Sequence, residues 1–147
     1  MKRIALHLVI GIVVVGLLGC NTLGRQPKIT AAAVTPNVLK PEDTAVITVE
    51  VVDRYDIVAN VVGVIRDDPR IDFRLQDNGV PPDAKAGDGI WSMQVDVPFD
   101  APPGEFILDF TAYDAAGNEI VVRTKDQGDA PLTATCSLVV EYPQEGQ

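Results

Sequence analysis

Three aspartates, Asp77, Asp83 and Asp88, fall in one short polar stretch, Asp77-Asn78-Gly79-Val80-Pro81-Pro82-Asp83-Ala84-Lys85-Ala86-Gly87-Asp88-Gly89. Their carboxylates, with loop carbonyls, offer the hard oxygen ligands of which calcium takes about six to eight. The spacing is not that of an EF-hand, because Lys85 and Gly87 stand at the second and third ligand offsets counted from Asp83. The same residues have a plainer use. Aspartates accept backbone N–H bonds in tight turns, and Gly79, Gly87 and Gly89 supply positive φ. Both uses predict an ordered acidic loop, and only the first predicts that calcium stabilises it.

Other chemistry is sparse. The one histidine is His7, inside an apolar N-terminal segment. A chain that loses this segment has no Ser-His-Asp or Cys-His site and none of the usual histidine zinc ligands. No phosphate-cradling glycine loop or dinucleotide fingerprint is present. Trp91 alternates onto one face with Met93 and Val95, as a core anchor does; the alternative is a platform for a sugar. Cys136 shares an apolar face with Ala134 and Leu138 and reads as a small buried hydrophobe, against an exposed thiol that dimerises or senses oxidants. These residues predict a protein that is not an enzyme.

The N-terminus points to a location. Met1-Lys2-Arg3 is positively charged, and residues 4–18 carry no charge. About 15 apolar residues suit an export signal, whereas a membrane-spanning helix needs roughly 20. The segment ends in Leu17-Leu18-Gly19-Cys20, which resembles the lipobox of bacterial lipoproteins. That resemblance implies a signal peptide over residues 1–19, removal of the signal, thioether diacylglycerol on Cys20 and acylation, such as palmitate, on its new amino group. Two or more acyl chains give stable anchoring where one is marginal. Asn21 follows the cysteine, so the aspartate of the retention rule is absent, and the outer membrane is the expected address in a cell that has one. Once Cys20 is lipidated, Cys136 has no partner for an internal disulfide. Residues 20–28 then form a tether, whose eight positions after Cys20 extend to roughly 25 Å and hold the domain close to the bilayer.

The formal charge of the full chain is −9, and the leader contributes Lys2 and Arg3 but no acid, so the remainder is more negative still. Such a balance argues against nucleic acid or anionic headgroups as partners, because phosphates repel it.

Residues 29–143 are long enough for one compact domain. Short alternating apolar runs separated by Pro, Gly, Asn and Asp predict strands over 29–34, 44–52, 57–65, 71–75, 91–97 and 105–113. Another opens at Ile120 and Val122, and a last one runs over 132–142. The 57–65 run is apolar on both faces and predicts an interior strand stopped by Asp67-Asp68-Pro69; a short buried helix is the alternative. The polar stretch 125–131 interrupts the later strands, and 144–147 is a polar tail. The pattern predicts an all-β fold: an immunoglobulin-like antiparallel β-sandwich of about seven or eight strands.

Gly104-Glu105-Phe106-Ile107-Leu108-Asp109-Phe110-Thr111-Ala112-Tyr113-Asp114-Ala115-Ala116-Gly117-Asn118 resembles the penultimate strand and hairpin of bacterial immunoglobulin-like and fibronectin-like domains. The stretch Asp83-Ala84-Lys85-Ala86-Gly87-Asp88-Gly89 before Trp91-Ser92 is similar to a motif of secreted sandwich domains, including choice-of-anchor domains, with Pro81-Pro82 where glycines are more usual. These resemblances imply a lipid-anchored module of the cell envelope that contacts an envelope protein or a surface polymer. The alternatives are a calcium- or small-ligand-binding lipoprotein using the 77–89 loop, and an accessory subunit of an exported enzyme or transporter.

Overall fold

A computed structural model describes residues 26–126 and 128–142. The leader, Cys20, the tether up to Arg25 and the 144–147 tail lie outside the described residues. The strands are β1 (Lys28–Thr35), β2 (Val38–Leu39), β3 (Thr44–Val52), β4 (Asn60–Ile65), β5 (Asp68–Leu75), β6 (Ile90–Asp96), β7 (Gly104–Tyr113), β8 (Val121–Thr124), β9 (Gly128–Pro131) and β10 (Thr133–Val140). One sheet has the order β1-β3-β6, and the facing sheet the order β2-β10-β7-β4-β5. The fold is an all-β sandwich of the immunoglobulin-like kind, with a β8-β9 hairpin attached.

Alternation explains why β3 organises the small sheet. Ala45, Ile47, Val49 and Val51 all point inward and are buried, while Thr44, Thr48 and Glu50 point away. They meet Val61, Leu108 and Phe110 of the facing sheet, and each such aliphatic or aromatic side chain contributes about 1.5–3 kcal/mol on burial. Gly63 of β4 lies under the edge-to-face rings of Phe73 and Phe110, whose centroids are 6.1 Å apart. β4 is interior, between β7 and β5, as its two apolar faces require.

Four details differ from the sequence expectation. Residues 57–59 are not strand, because the Asp53 carboxylate accepts the Val58 amide at 2.7 Å and that of Tyr55 at 3.2 Å, holding the segment as a loop. The β4–β5 turn uses only Arg66 and Asp67, so Asp68 and Pro69 already belong to β5, after an irregularity between Val64 and Ile65. The 125–131 stretch does not merely interrupt, since Gly128–Pro131 pairs back on Val121–Thr124. The sheets are also not wholly antiparallel. After Pro36-Asn37 the chain changes sheet, and Val38 and Leu39 pair in parallel with Val139 and Val140.

Strand registers define two ends. At one lie the start of β1, the β3–β4 connection, the 77–89 loop and the β8-β9 hairpin. A small second core of Ala112, Ile120 and Leu132, backed by Ile29, Val58 and Val122, closes that end. At the other end lie the 36–43, 66–67 and 97–103 connections and the close of β10.

Candidate functional site

The three sequence-predicted aspartates come together. One carboxylate oxygen from each of Asp77, Asp83 and Asp88 lies within 4.8 Å of the others. Each carboxylate also organises the loop that carries it. Asp77 accepts the amides of Gly87 at 2.7 Å, Asp88 at 3.3 Å and Gly89 at 3.0 Å. Asp83, which is buried, accepts the amides of Gly79 and Lys85, and Asp88 accepts that of Ile90 at 2.9 Å. Gly79, Gly87 and Gly89 all have positive φ, between 70° and 84°. The turn-forming use of these residues is therefore what their geometry displays. A carboxylate oxygen has two acceptor sites, so one that takes an N–H keeps a lone pair for a further partner.

Gly89 anchors the loop to the small sheet. Its carbonyl accepts the Val51 amide at 2.8 Å, and its φ is +84°. A Cβ at Gly89 would press into the Val51 carbonyl oxygen, well inside van der Waals contact. The loop is held at its other stem by Gln76 and Ser92, which exchange two backbone hydrogen bonds of 2.9 Å. The Ser92 hydroxyl is buried and has no hydrogen-bond partner among the described residues.

Beside this loop is a hollow of about 310 Å³ bordered by Asp53, Asp56, Asp77, Asp88 and Trp91. Four aspartates thus border one small space. None of them, nor Asp83, forms an ion pair with Lys or Arg among the described residues. Sequence reasoning did not single out Asp53 and Asp56, since nothing in their spacing announces that the β3–β4 connection lies against the 77–89 loop. Trp91 is partly buried against the main core, as a core anchor is, and also borders this hollow.

Cys136 is half-buried and packs against the core, and desolvation pushes its thiol up to about 11. It is a protonated thiol at neutral pH, unsuited to nucleophilic work. An ion pair that ties separate strands together lies elsewhere, on the outer face of the large sheet. Arg66 donates twice to Asp109, at 2.7 and 2.8 Å, and Thr135 donates to the same carboxylate at 2.8 Å. The Arg66 contact, reinforced by Thr135, holds the Asp109 carboxyl below its ordinary value.

A second, larger space of about 730 Å³ lies between the sheets toward the opposite end of the sandwich. Ile47, Met93 and Val95 line it from the small sheet, and Phe73, Phe106 and Leu108 from the large one. Sequence patterning assigned these to a closed core.

No family model matches the chain, and no curated protein matches it. Among solved structures, it is similar to a Niemann-Pick type C2 protein from the Japanese carpenter ant. The two share 13% identity with a TM-score of 0.43, over 80% of this chain and 93% of that one.

Proposed function

We propose that this chain is a non-catalytic, lipid-anchored binding module of the bacterial cell envelope, attached through Cys20 and contacting an envelope protein or a surface polymer. The observation that carries the reading is the entry of the chain. β1 starts at Lys28, at the end that bears the 77–89 loop, and the register of β3 and β6 puts the 36–43 and 97–103 connections at the other end. A tether of a few residues before Lys28 would hold the first end toward the bilayer and present the second outward. Sandwich domains use such end loops for recognition. The arrangement of reactive groups supports the non-catalytic part, since the half-buried Cys136 thiol has its proton affinity raised and the only histidine precedes Cys20.

Metabolic labelling with an alkyne-bearing palmitate analogue tests this in a cell that processes lipoproteins. The wild-type chain is expected to take up label, shorten to begin at Cys20 and sediment with membranes. Cys20→Ala should stay unlabelled and unprocessed. An unlabelled wild type, or a Cys20→Ala variant labelled equally well, defeats the proposal.

A second reading rests on a specific observation, the convergence of Asp77, Asp83 and Asp88 within 4.8 Å without a cationic partner. In this reading the loop binds calcium, using one carboxylate oxygen from each with loop carbonyls and water. Calcium at millimolar concentration should raise the melting temperature by several degrees over chelator, since a ligand bound only by the folded state stabilises it. Asp88→Asn, at an exposed position, should abolish the increment. Equal melts with calcium and chelator count decisively against the reading.

A further inference from the structure

The chain enters the sandwich at a fixed point. The Gln26 side chain accepts the Arg123 amide at 2.8 Å, and Lys28 pairs with Val52 at the end of β3. Five residues, 21–25, separate Cys20 from Gln26, so the two are about 20 Å apart at full extension. A lipid on Cys20 therefore keeps this end of the sandwich next to the bilayer.

The surface beside that entry shows apolar groups. Val52 is 53% exposed, Tyr55 55% and Ile57 39%, three large side chains within one six-residue stretch. Alternation turns Val52 outward, because Val51 before it is buried. The loop that follows presents the other two. Asp53 accepts the amides of Tyr55 and Val58, and Asp56 takes a left-handed φ of +51°. Val58, at the far side of the loop, packs against both cores. Tyr55 and Ile57 stand between these fixed points and stay at the surface. A single exposed apolar residue needs no explanation, but three clustered at the anchored end mark a contact surface.

Charge narrows what that surface meets. Lys28 and Arg54 are exposed and form no ion pair among the described residues, and Asp53 and Asp56 balance them. Two cations and two carboxylates around an apolar patch match a zwitterionic headgroup layer, whose phosphates the long cationic side chains can reach. The hollow that Asp53 and Asp56 share with Asp77 and Asp88 lies alongside, which makes an anionic leaflet the poorer surface. A tyrosine ring, apolar with a polar tip, suits the boundary between headgroups and acyl chains.

We infer that Val52, Tyr55 and Ile57 form a docking surface for a zwitterionic phospholipid bilayer, with the 36–43 and 97–103 connections turned outward. The inference rests on the proposed lipidation of Cys20. The tether makes the contact intramolecular, so a patch too small to hold a free protein on a membrane is occupied once the lipid is in place.

The tyrosines give the test. Tyr55 lies on this surface, whereas Tyr142, whose hydroxyl donates to the Ala101 carbonyl at 2.8 Å, lies at the other end. The full chain, its tyrosine rings carbon-13 labelled, is matured in a cell that processes lipoproteins, and its lipidation is read by mass. It is then placed in phosphatidylcholine nanodiscs doped with 5-doxyl phosphatidylcholine. Paramagnetic relaxation of the Tyr55 ring should exceed that of Tyr142 by about tenfold or more, since strands of this length set the two ends roughly 30 Å apart. Ile57→Asp and Val52→Asp, each at an exposed position, should cut the Tyr55 enhancement by about threefold or more while the tether is unchanged. The half-buried Tyr113 of β7 reports an intact fold in both variants. Phosphatidylglycerol discs should give a smaller Tyr55 enhancement than phosphatidylcholine discs. A chain that carries no lipid overturns the inference together with the envelope reading. In a lipidated chain, equal enhancement of Tyr55 and Tyr142 overturns the inference alone, and so does a Tyr55 enhancement that the folded variants retain, which would make the tether its whole cause. A larger enhancement in phosphatidylglycerol also overturns it, because the surface met would then be anionic.

Discussion

Gln76 and Ser92 each donate their backbone N–H to the other's carbonyl at 2.9 Å, clasping the outer strands of two different sheets at a single residue pair. The clasp does two things. It begins the 77–89 loop at a fixed point, so the three aspartates can converge, and it marks where the flank of the sandwich stops being closed.

Hydrogen exchange reads the clasp directly. Along an antiparallel edge, alternate residues turn their N–H groups away from the neighbouring strand. Ser92 turns its amide to Gln76, so Gln94, two residues on, turns its own toward the open flank. The amides of Gln76 and Ser92 should exchange slowly, and that of Gln94 at least tenfold faster, in an amide-resolved experiment at neutral pH. Equal protection at Ser92 and Gln94 would mean that the edges stay together along their length and that no cleft exists.

Gly63 gives a test of the core beneath that flank. A Cβ there would lie inside contact distance of the Phe73 ring and 2.9 Å from Cε1 of Phe110. Phe110 is fully buried and packs edge to face with Phe73, so it cannot yield, and Phe73 has to turn toward the space it borders at the cost of that contact. Gly63→Ala should cost about 1–3 kcal/mol by overpacking, measured by urea denaturation. Helix or turn propensity plays no part, because Gly63 sits in mid-strand with no positive φ to maintain.

Much of this architecture was legible in the chain. The 44–52 strand was predicted to the residue, because Ala45, Ile47, Val49 and Val51 alternate with outward positions and one face must be buried. The aspartates and glycines of the 77–89 loop announced a tight acidic turn system for the same kind of local reason. What escaped was non-local. Val38–Leu39 is strand only because Val139 and Val140, far along the chain, lie beside it. Gly128–Pro131 has no apolar alternation and is held by its hairpin partner. Ile71 and Val95 carry the signature of a closed core, and only the divergence of their two strands puts them on a cleft.

The Arg66–Asp109–Thr135 group links the β4–β5 turn to β7 and β10 and makes stability depend on acid. The Asp109 carboxyl is held below its ordinary value, mainly by Arg66. A depressed folded-state value means that this stabilisation is complete above the unfolded value, about 3.9, and is lost as pH falls through the folded one. Asp109→Asn should lower the urea midpoint at pH 7 and shrink the further drop between pH 4 and pH 2. Added salt should weaken the wild-type advantage, since Arg66 is half exposed. A variant whose midpoint falls with acid as steeply as the wild type would assign the acid sensitivity to other carboxylates.

Gly89 separates the folding of the 77–89 loop from any ligand it holds. An L side chain at its φ of +84° costs about 1–2 kcal/mol. The Cβ of alanine would also push the Val51 carbonyl, adding about 1–3 kcal/mol if the contact behaves as ordinary overpacking. Gly89→Ala should therefore lower stability even in chelator, unlike Asp88→Asn, whose exposed side chain accepts only one backbone amide. If Gly89→Ala melts with the wild type in urea, the loop is not docked on β3 as described.

Cys136 tests the half-buried reading of β10. With its thiol pushed up to about 11, it holds very little thiolate at pH 8, and core packing limits access further. Iodoacetamide at pH 8 should label the native protein at least tenfold more slowly than the urea-unfolded protein, where the value relaxes to about 8.5. Raising the pH from 8 to 9 should increase the native rate about tenfold, because thiolate remains the minor form across that interval. A flat response would mean that opening of the strand, not ionisation of the thiol, limits the reaction. Rapid complete labelling of the native chain at pH 8 would show the sulfur exposed and detach β10 from the core packing that Leu138 and Val140 complete.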